Sequence, residues 1–270
     1  MDRSELKKIA KDVRADLLRM TNNTGQAGAH IGGSLSLVEI MVSLYYEVME
    51  LSPDDLTADD RSRLILSKGH GVMTQYVVLS HKGIIPHDEL MTFKHNDTRL
   101  YAHPSMNPDI AIEFSSGSLG QGLSLGVGAA LAMRRRDNKA KVIVILGDGE
   151  CDEGQVWESA ASAAHYGLDN IIVVVDENKL QYDGDTNDVM KKDLAARWSS
   201  FGFETVTADG HDFESLEKAF NTGHEGKPLA LIAETVKGKG VSFMENNPEW
   251  HNKVLPEKDL EAALEGLEDN

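Results

Sequence analysis

One cysteine, Cys151, in 270 residues excludes an internal disulfide framework and fits a reducing cytoplasm. Bases are scarce: 27 Lys and Arg face 44 Asp and Glu, and the net charge of −17 argues against nucleic acid or an anionic membrane as the main partner. Part of that acidity lies in residues 245–270, which hold eight Asp or Glu against two Lys. No apolar run approaches the roughly 20 residues that a membrane-spanning helix needs. The start, Met1-Asp2-Arg3-Ser4-Glu5, has no apolar signal core, so the expected location is the cytoplasm. There is no internal repeat, long linker or low-complexity stretch, and one domain over residues 1–270 is the economical organisation. No G-x-G-x-x-G opens a helix after the first strand, which disfavours a nicotinamide-binding enzyme.

What remains is an ordinary globular composition, 41% hydrophobic and 26% charged, with one informative segment. Val142-Ile143-Val144-Ile145-Leu146 runs into Gly147-Asp148-Gly149, and Ile171-Ile172-Val173-Val174-Val175 runs into Asp176-Glu177-Asn178-Lys179. The 28 residues between Gly149 and Asn178 suffice for one crossover helix between parallel strands. Asp148 and Asn178 then meet at the carboxyl ends of neighbouring strands, where open α/β sheets place ligands. A carboxylate, an amide oxygen and a backbone carbonyl form a partial oxygen cage for Mg²⁺, which is usually shared with phosphates. A bare Gly-Asp-Gly is ordinarily a turn; the flanking strands and the second strand ending in Asn178 favour a diphosphate cofactor instead. Cys151, beside that turn, is read as an incidental small residue rather than a reactive thiol.

The remaining periodicity predicts an α/β fold, a mainly parallel sheet with helices on both faces. A helix capped by Ser4 carries Leu6, Ile9, Val13, Leu17 and Met20, and a second runs from Ser34 to about Glu50. Strand 63–66 precedes a helix over 71–80, residues 83–113 are irregular, and a small-residue helix spans 120–133. From 141 onward strands at 141–146, 170–175, 203–207 and 229–235 alternate with helices at 154–166, near 189–200 and at 212–222. A helix near 256–266 closes the pattern. Four loops add polar chemistry among glycines: Gly28-Ala29-His30-Ile31-Gly32-Gly33-Ser34, Leu66-Ser67-Lys68-Gly69-His70-Gly71, Tyr101-Ala102-His103-Pro104 and Ser116-Gly117-Ser118-Leu119-Gly120-Gln121-Gly122. Glycine lets backbone N–H groups approach a ligand, and histidine can exchange a proton near neutrality.

Taken in order with Gly147-Asp148-Gly149-Glu150, Glu153-Gly154-Gln155-Val156-Trp157-Glu158 and Asp176-Glu177-Asn178-Lys179, these segments resemble transketolase along nearly the whole chain. The resemblance implies the thiamine diphosphate-binding fold, with Asp148, Asn178 and the Leu180 carbonyl on Mg²⁺. It places Gly117, Ser118, Leu119 and Gly149 beside the cofactor. His30, His70, His103 and His251 would line the channel as catalytic groups, His70 and His251 touching the cofactor as well. Glu153 matches an acidic residue linking cofactor sites across a subunit interface, although a helix N-terminal charge explains it nearly as well.

His30-Ile31-Gly32 and Gly117-Ser118-Leu119 replace the His-Pro-Gly and Gly-Pro-Leu of common transketolases, as in transketolases split into two subunits and in 1-deoxyxylulose-5-phosphate synthases. Nothing here resembles the pyrimidine-binding domain, whose glutamate activates the aminopyrimidine. The resemblance therefore implies the N-terminal subunit of a two-chain transketolase, forming a heterotetramer with a C-terminal subunit. That enzyme would move a two-carbon ketol unit from a ketose to an aldose, either of them free or phosphorylated. The alternatives are a subunit of another thiamine diphosphate carboligase (1-deoxyxylulose-5-phosphate synthase-like, or like a 2-oxo acid dehydrogenase alpha chain) and a non-catalytic cofactor-holding subunit.

Overall fold

Strands that are apolar on both faces set the architecture. The computed structural model describes residues 1–49 and 51–268. Its main sheet is parallel throughout, built from β1 (Arg63–Leu66), β2 (Val142–Gly147), β3 (Ile171–Glu177), β6 (Glu204–Asp209) and β7 (Leu229–Glu234) in the order β1-β2-β3-β7-β6. A separate antiparallel pair, β4 (Leu180–Gln181) and β5 (Gly184–Asp185), follows β3. In β2 every residue is buried, as strands covered on both sides require.

Side chains alternate across the sheet. Ile143, Ile145, Ile172 and Val174 join one core with α1 (Arg3–Asn23), α2 (Ile31–Leu35), α3 (Val38–Ser43), α4 (Val72–His81), α9 (Phe213–Phe220) and α10 (Glu257–Glu268). Val144, Leu146, Val173 and Val175 join another with α5 (Gln121–Arg135), α6 (Gly154–His165) and α8 (Leu194–Ser200). The four-residue α7 (Thr186–Val189) follows β5. The expected α/β class, with helices on both faces, is the one found. No helix among the described residues is long and apolar enough to cross a membrane.

Three local expectations differ. The N-cap of α1 is Asp2, and Ser4 lies within the first turn, where its hydroxyl donates to the Asp2 carboxylate. The helix expected over 34–50 begins earlier and breaks: α2 starts at Ile31, α3 follows, and a π-turn runs over Leu44–Val48, while Glu50 lies outside the described residues. The glycine pair that suggested a loop is a packing requirement. A β-carbon on Gly32 would stand 2.8 Å from the Trp250 carbonyl oxygen. The break follows α2 because the Ser34 and Ser36 hydroxyls bond back to the His30 and Gly33 carbonyls at 2.9 and 3.2 Å. Near 189–200 the helix is α8 alone, starting at Leu194 because the Asp193 side chain accepts from the Ala196 N–H at 2.9 Å.

Candidate functional site

The carboxyl ends of β1, β2, β3 and β7 deliver the site. β2 pairs with β3 so that Gly147 faces Asp176, and the Asp148 N–H continues the ladder to the Asp176 carbonyl at 3.2 Å. Asp148 and Asn178, 3% and 5% exposed, therefore end adjacent strands. Asp148, Asn178 and Leu180 line a cleft of about 360 Å³ with Lys68, His70, Leu119, Gly149, Glu153, Lys237 and His251. The Asp148 carboxylate accepts from the Gly149 and Lys179 N–H groups at 2.8 and 2.6 Å. Burial first, and the neighbouring Asp176 carboxylate second, push its pKa up to about 6. The Asn178 side-chain oxygen accepts from the Leu180 N–H at 3.1 Å, and the Leu180 carbonyl accepts from the Lys237 ammonium at 2.8 Å.

That donor set fits a divalent cation. It offers a carboxylate, an amide oxygen and a carbonyl, all hard oxygen ligands. The carbonyl already holds a cationic group, the Lys237 ammonium, whose pKa burial and the nearby Lys68 lower to about 8.

All four sequence-predicted histidines converge. His30 lies 5.6 Å from His70, 5.7 Å from His103 and 5.4 Å from His251, ring centre to ring centre, and His70 lies 5.4 Å from His251. Burial, then the charge of Lys237, hold His251 at a pKa of about 3. Burial, His103 and two lysines hold His30 at about 4. His70 is pushed well below the ordinary histidine range by burial and Lys68, and His103 is lowered by burial and Lys94. The cluster is thus neutral near pH 7, each ring able to donate one hydrogen bond and accept another. The Lys237 ammonium, 2.9 Å from His251 Nδ1, makes that nitrogen an acceptor.

The Gly117 segment meets the histidines through backbone: a β-carbon on Gly117 would lie 3.0 Å from the His103 ring. Leu119 is 38% exposed toward the cleft. Ser118 is exposed, and its carbonyl accepts from the Gln121 N–H at 3.4 Å as α5 begins. Glu153 is the N-cap residue of α6, with its side chain at the cleft and making no cap bond. Cys151 is buried, and its thiol is pushed well above the ordinary range by burial and by Glu150.

Three charged groups beneath the cleft carried no role in the sequence. Lys68 and Asp176, 1% and 0% exposed at the side chain, form an ion pair. Asp176 also accepts from Ser36 at 2.7 Å, Asn178 at 3.0 Å and Thr235. Glu150, 3% exposed, accepts from the Ser67 hydroxyl, the Gly120 N–H at 2.8 Å and the Gly147 N–H at 3.1 Å. One carboxylate thereby fastens three motif loops. The available signal was charge where burial is the rule, since Asp176 ends an all-aliphatic run and Lys68 follows strand β1.

Two expected results follow locally. A β-carbon on Gly122 would stand 2.4 Å from the Ser67 side chain. Gly122→Ala should displace Ser67 from Glu150 and cost about 1–3 kcal/mol in chemical denaturation; no shift in the midpoint would mean that the loops yield freely.

The second concerns acid stability of the metal-free chain. Each of the four clustered histidines, His30, His70, His103 and His251, has a folded pKa below its ordinary value of 6.5, so its contribution to stability is lost as pH falls through 6.5. Asp148, raised from 3.8 to about 6, acts oppositely: the folded state holds a proton that the unfolded state releases, so its contribution favours folding below pH 4 and fades as pH rises through 6. Asp148→Asn should therefore steepen the loss of stability from pH 6.5 to 4, measured as urea midpoints in chelator. Parallel curves for the two proteins would contradict the raised pKa.

Comparison with known proteins agrees with this geometry. Residues 6–268 match the family described as transketolase, thiamine diphosphate binding domain. One of the subunits of the apulose-4-phosphate transketolase from Actinobacillus succinogenes is 42% identical over 267 residues, 98% of this chain and 96% of that protein. The 6-deoxy-6-sulfo-D-fructose transketolase subunit SqwG of a Clostridium species is 39% identical over 242 residues, 88% of this chain. Among solved structures, transketolase from Campylobacter jejuni superposes with a TM-score of 0.88 at 27% identity, covering 99% of this chain and 43% of that one. The chain thus spans less than half the length of that solved transketolase.

Proposed function

The chain belongs to the transketolase family through its thiamine diphosphate-binding domain, and from that premise we propose that it is the N-terminal, single-domain subunit of a two-chain transketolase. The observation that carries this reading is the convergence of Asp148, Asn178 and the Leu180 carbonyl in one cleft, on a chain that matches 96% of the length of a relative named as a transketolase subunit. Asp148, Asn178 and Leu180 would hold Mg²⁺, with the Lys237 ammonium giving up the Leu180 carbonyl to it. His70, Gly117, Ser118, Leu119, Gly149, Glu153, Asn178 and His251 would surround thiamine diphosphate, which when bound supplies an electron sink for carbanion chemistry.

The chain's own contribution is positioning and hydrogen bonding. The neutral histidines His30, His70, His103 and His251 can donate to sugar oxygens and relay protons without placing a full positive charge beside the metal. His103, exposed at the outer edge of the cluster, is placed to meet the sugar first. Relatives named for apulose 4-phosphate and for 6-deoxy-6-sulfo-D-fructose support a ketose donor that carries an anionic group, with an aldose as acceptor. The naming of these relatives as subunits supports a second polypeptide, which would bring the pyrimidine-binding domain, its glutamate and the cationic contacts to the substrate. Assembly as a heterotetramer in the cytoplasm completes the reading.

The test is to purify this chain alone and assay ketol transfer with thiamine diphosphate and Mg²⁺, then repeat with a second polypeptide carrying the pyrimidine-binding domain. Turnover is expected only in the mixture. Full activity of the chain by itself would overturn the two-chain reading.

A further inference from the structure

A second cluster of metal-ligating side chains stands apart from the cleft. Asp16 on α1, His81 at the end of α4 and His87 at the start of the 3-10 helix His87–Thr92 place one ligand atom each within 4.8 Å of one another. Both imidazoles direct Nε2 at the same carboxylate oxygen: His81 lies 2.8 Å from Asp16 Oδ2 and His87 lies 3.9 Å from it. The first distance is a hydrogen bond; the second is too long for one. A tetrahedral zinc with ligands near 2.0–2.2 Å separates its donor atoms by about 3.3 Å, between those two values. A small adjustment of both rings would therefore accommodate a cation.

Two of the three ligands, Asp16 and His87, are contacted from behind, as metal ligands commonly are. Arg19 donates to the other oxygen of Asp16 at 3.0 Å, leaving Oδ2 for the shared position. Ser80 Oγ lies 3.5 Å from His87 Nδ1. Asp16 is 6% exposed and sits on a helix of 21 residues. Ile84 and Ile85, 8% and 1% exposed, pin the turn between the two histidines. His87 is 64% exposed at its side chain, so the remaining coordination position opens to solvent.

We propose that Asp16, His81 and His87 form a zinc-type divalent metal site, separate from the oxygen-lined cleft, that clips α1 to the corner after α4. Two imidazole nitrogens and one carboxylate suit Zn²⁺ or Co²⁺ and not Mg²⁺, which prefers an all-oxygen octahedron. The metal ties a ligand on α1 to two ligands 65 and 71 residues further along the chain. Its role is to lock that corner of the helical layer rather than to take part in ketol transfer.

The experiment uses the full chain after chelator treatment, titrated with Co²⁺ and then Zn²⁺. One equivalent of Co²⁺ is expected to give visible ligand-field bands that Zn²⁺ abolishes. His87→Ala, at an exposed position that should not disturb folding, is expected to weaken Co²⁺ binding at least about tenfold, and Asp16→Asn to do the same. Zn²⁺ should raise the Tm of the unaltered chain and leave that of His87→Ala unchanged. His103→Ala, in the separate four-histidine cluster, should leave the bands intact. Absent bands in the unaltered chain, bands that survive His87→Ala, or bands lost with His103→Ala would each overturn the site.

Discussion

Asp148→Ala is expected to reduce ketol transfer by the assembled enzyme on the order of 10³-fold, with thiamine diphosphate binding in the presence of Mg²⁺ lost in parallel. Asp148 supplies the one charged ligand of the proposed metal site; Asn178 and Leu180 offer neutral oxygens. The chain carries a net charge of −17, so a diphosphate enters against an unfavourable field unless a cation bridges it. A bound metal is worth several kcal/mol of charge stabilisation, and about 4 kcal/mol corresponds to that factor. The variant should still fold, because among the described residues the Asp148 carboxylate accepts only from the Gly149 and Lys179 N–H groups and forms no salt bridge, and the backbone bonds of Asp148 survive the substitution. Steady-state rates and calorimetric titration check both effects. Retention of more than about a tenth of the activity would remove Asp148 from the metal site.

Lys68→Met should be the most destabilising substitution beneath the cleft, at about 3–5 kcal/mol. Lys68 and Asp176 are both buried, and Lys68 donates to the Gly33 carbonyl at 3.1 Å as well as to Asp176. Removing the ammonium strands a buried carboxylate that now depends on three neutral donors, Ser36, Asn178 and Thr235. Lys68, with other donors, holds the Asp176 carboxyl below its ordinary range in spite of burial. Without Lys68 the carboxyl must take up a proton or distort the loop that carries Asn178. Adding Asp176→Asn to Lys68→Met should therefore recover much of the loss. A single-variant cost below about 1 kcal/mol, or a double variant no better than the single, would show that the pair contributes little.

The Asp148–Asn178 pair was legible because two features coincide there: aliphatic strands long enough to recognise, and a 28-residue separation matching one crossover. Parallel pairing then leaves little freedom in where the two side chains emerge. The four histidines were legible as separate motifs, but their meeting was not. His30 and His251 are brought within 5.4 Å because residues 28–33 pack on residues 250–254, where a Gly28 β-carbon would stand 2.9 Å from the Lys253 carbonyl. That contact spans most of the chain and has no periodic signature. For the same reason the glycine pair before Ser34 suggested a loop where a helix forms: propensity penalises glycine in a helix, while close backbone packing demands it. Lys68, Glu150, Asp176 and Lys237 stayed hidden as functional residues because charge in a sequence suggests solvent. Only the fold shows that each one is enclosed and answered by a partner.

Glu150 joins the loops of Ser67, Gly120 and Gly147 through one carboxylate. Those loops are rich in glycine and, left independent, would each have to be immobilised when a ligand arrives. Sharing one buried anchor moves that ordering to the folding reaction, so the cradle is preorganised before any diphosphate enters it. The same economy makes the cradle a single mechanical unit. A change in one loop is transmitted to the other two, so substitutions there should alter affinity as coupled sets, with strongly non-additive energies.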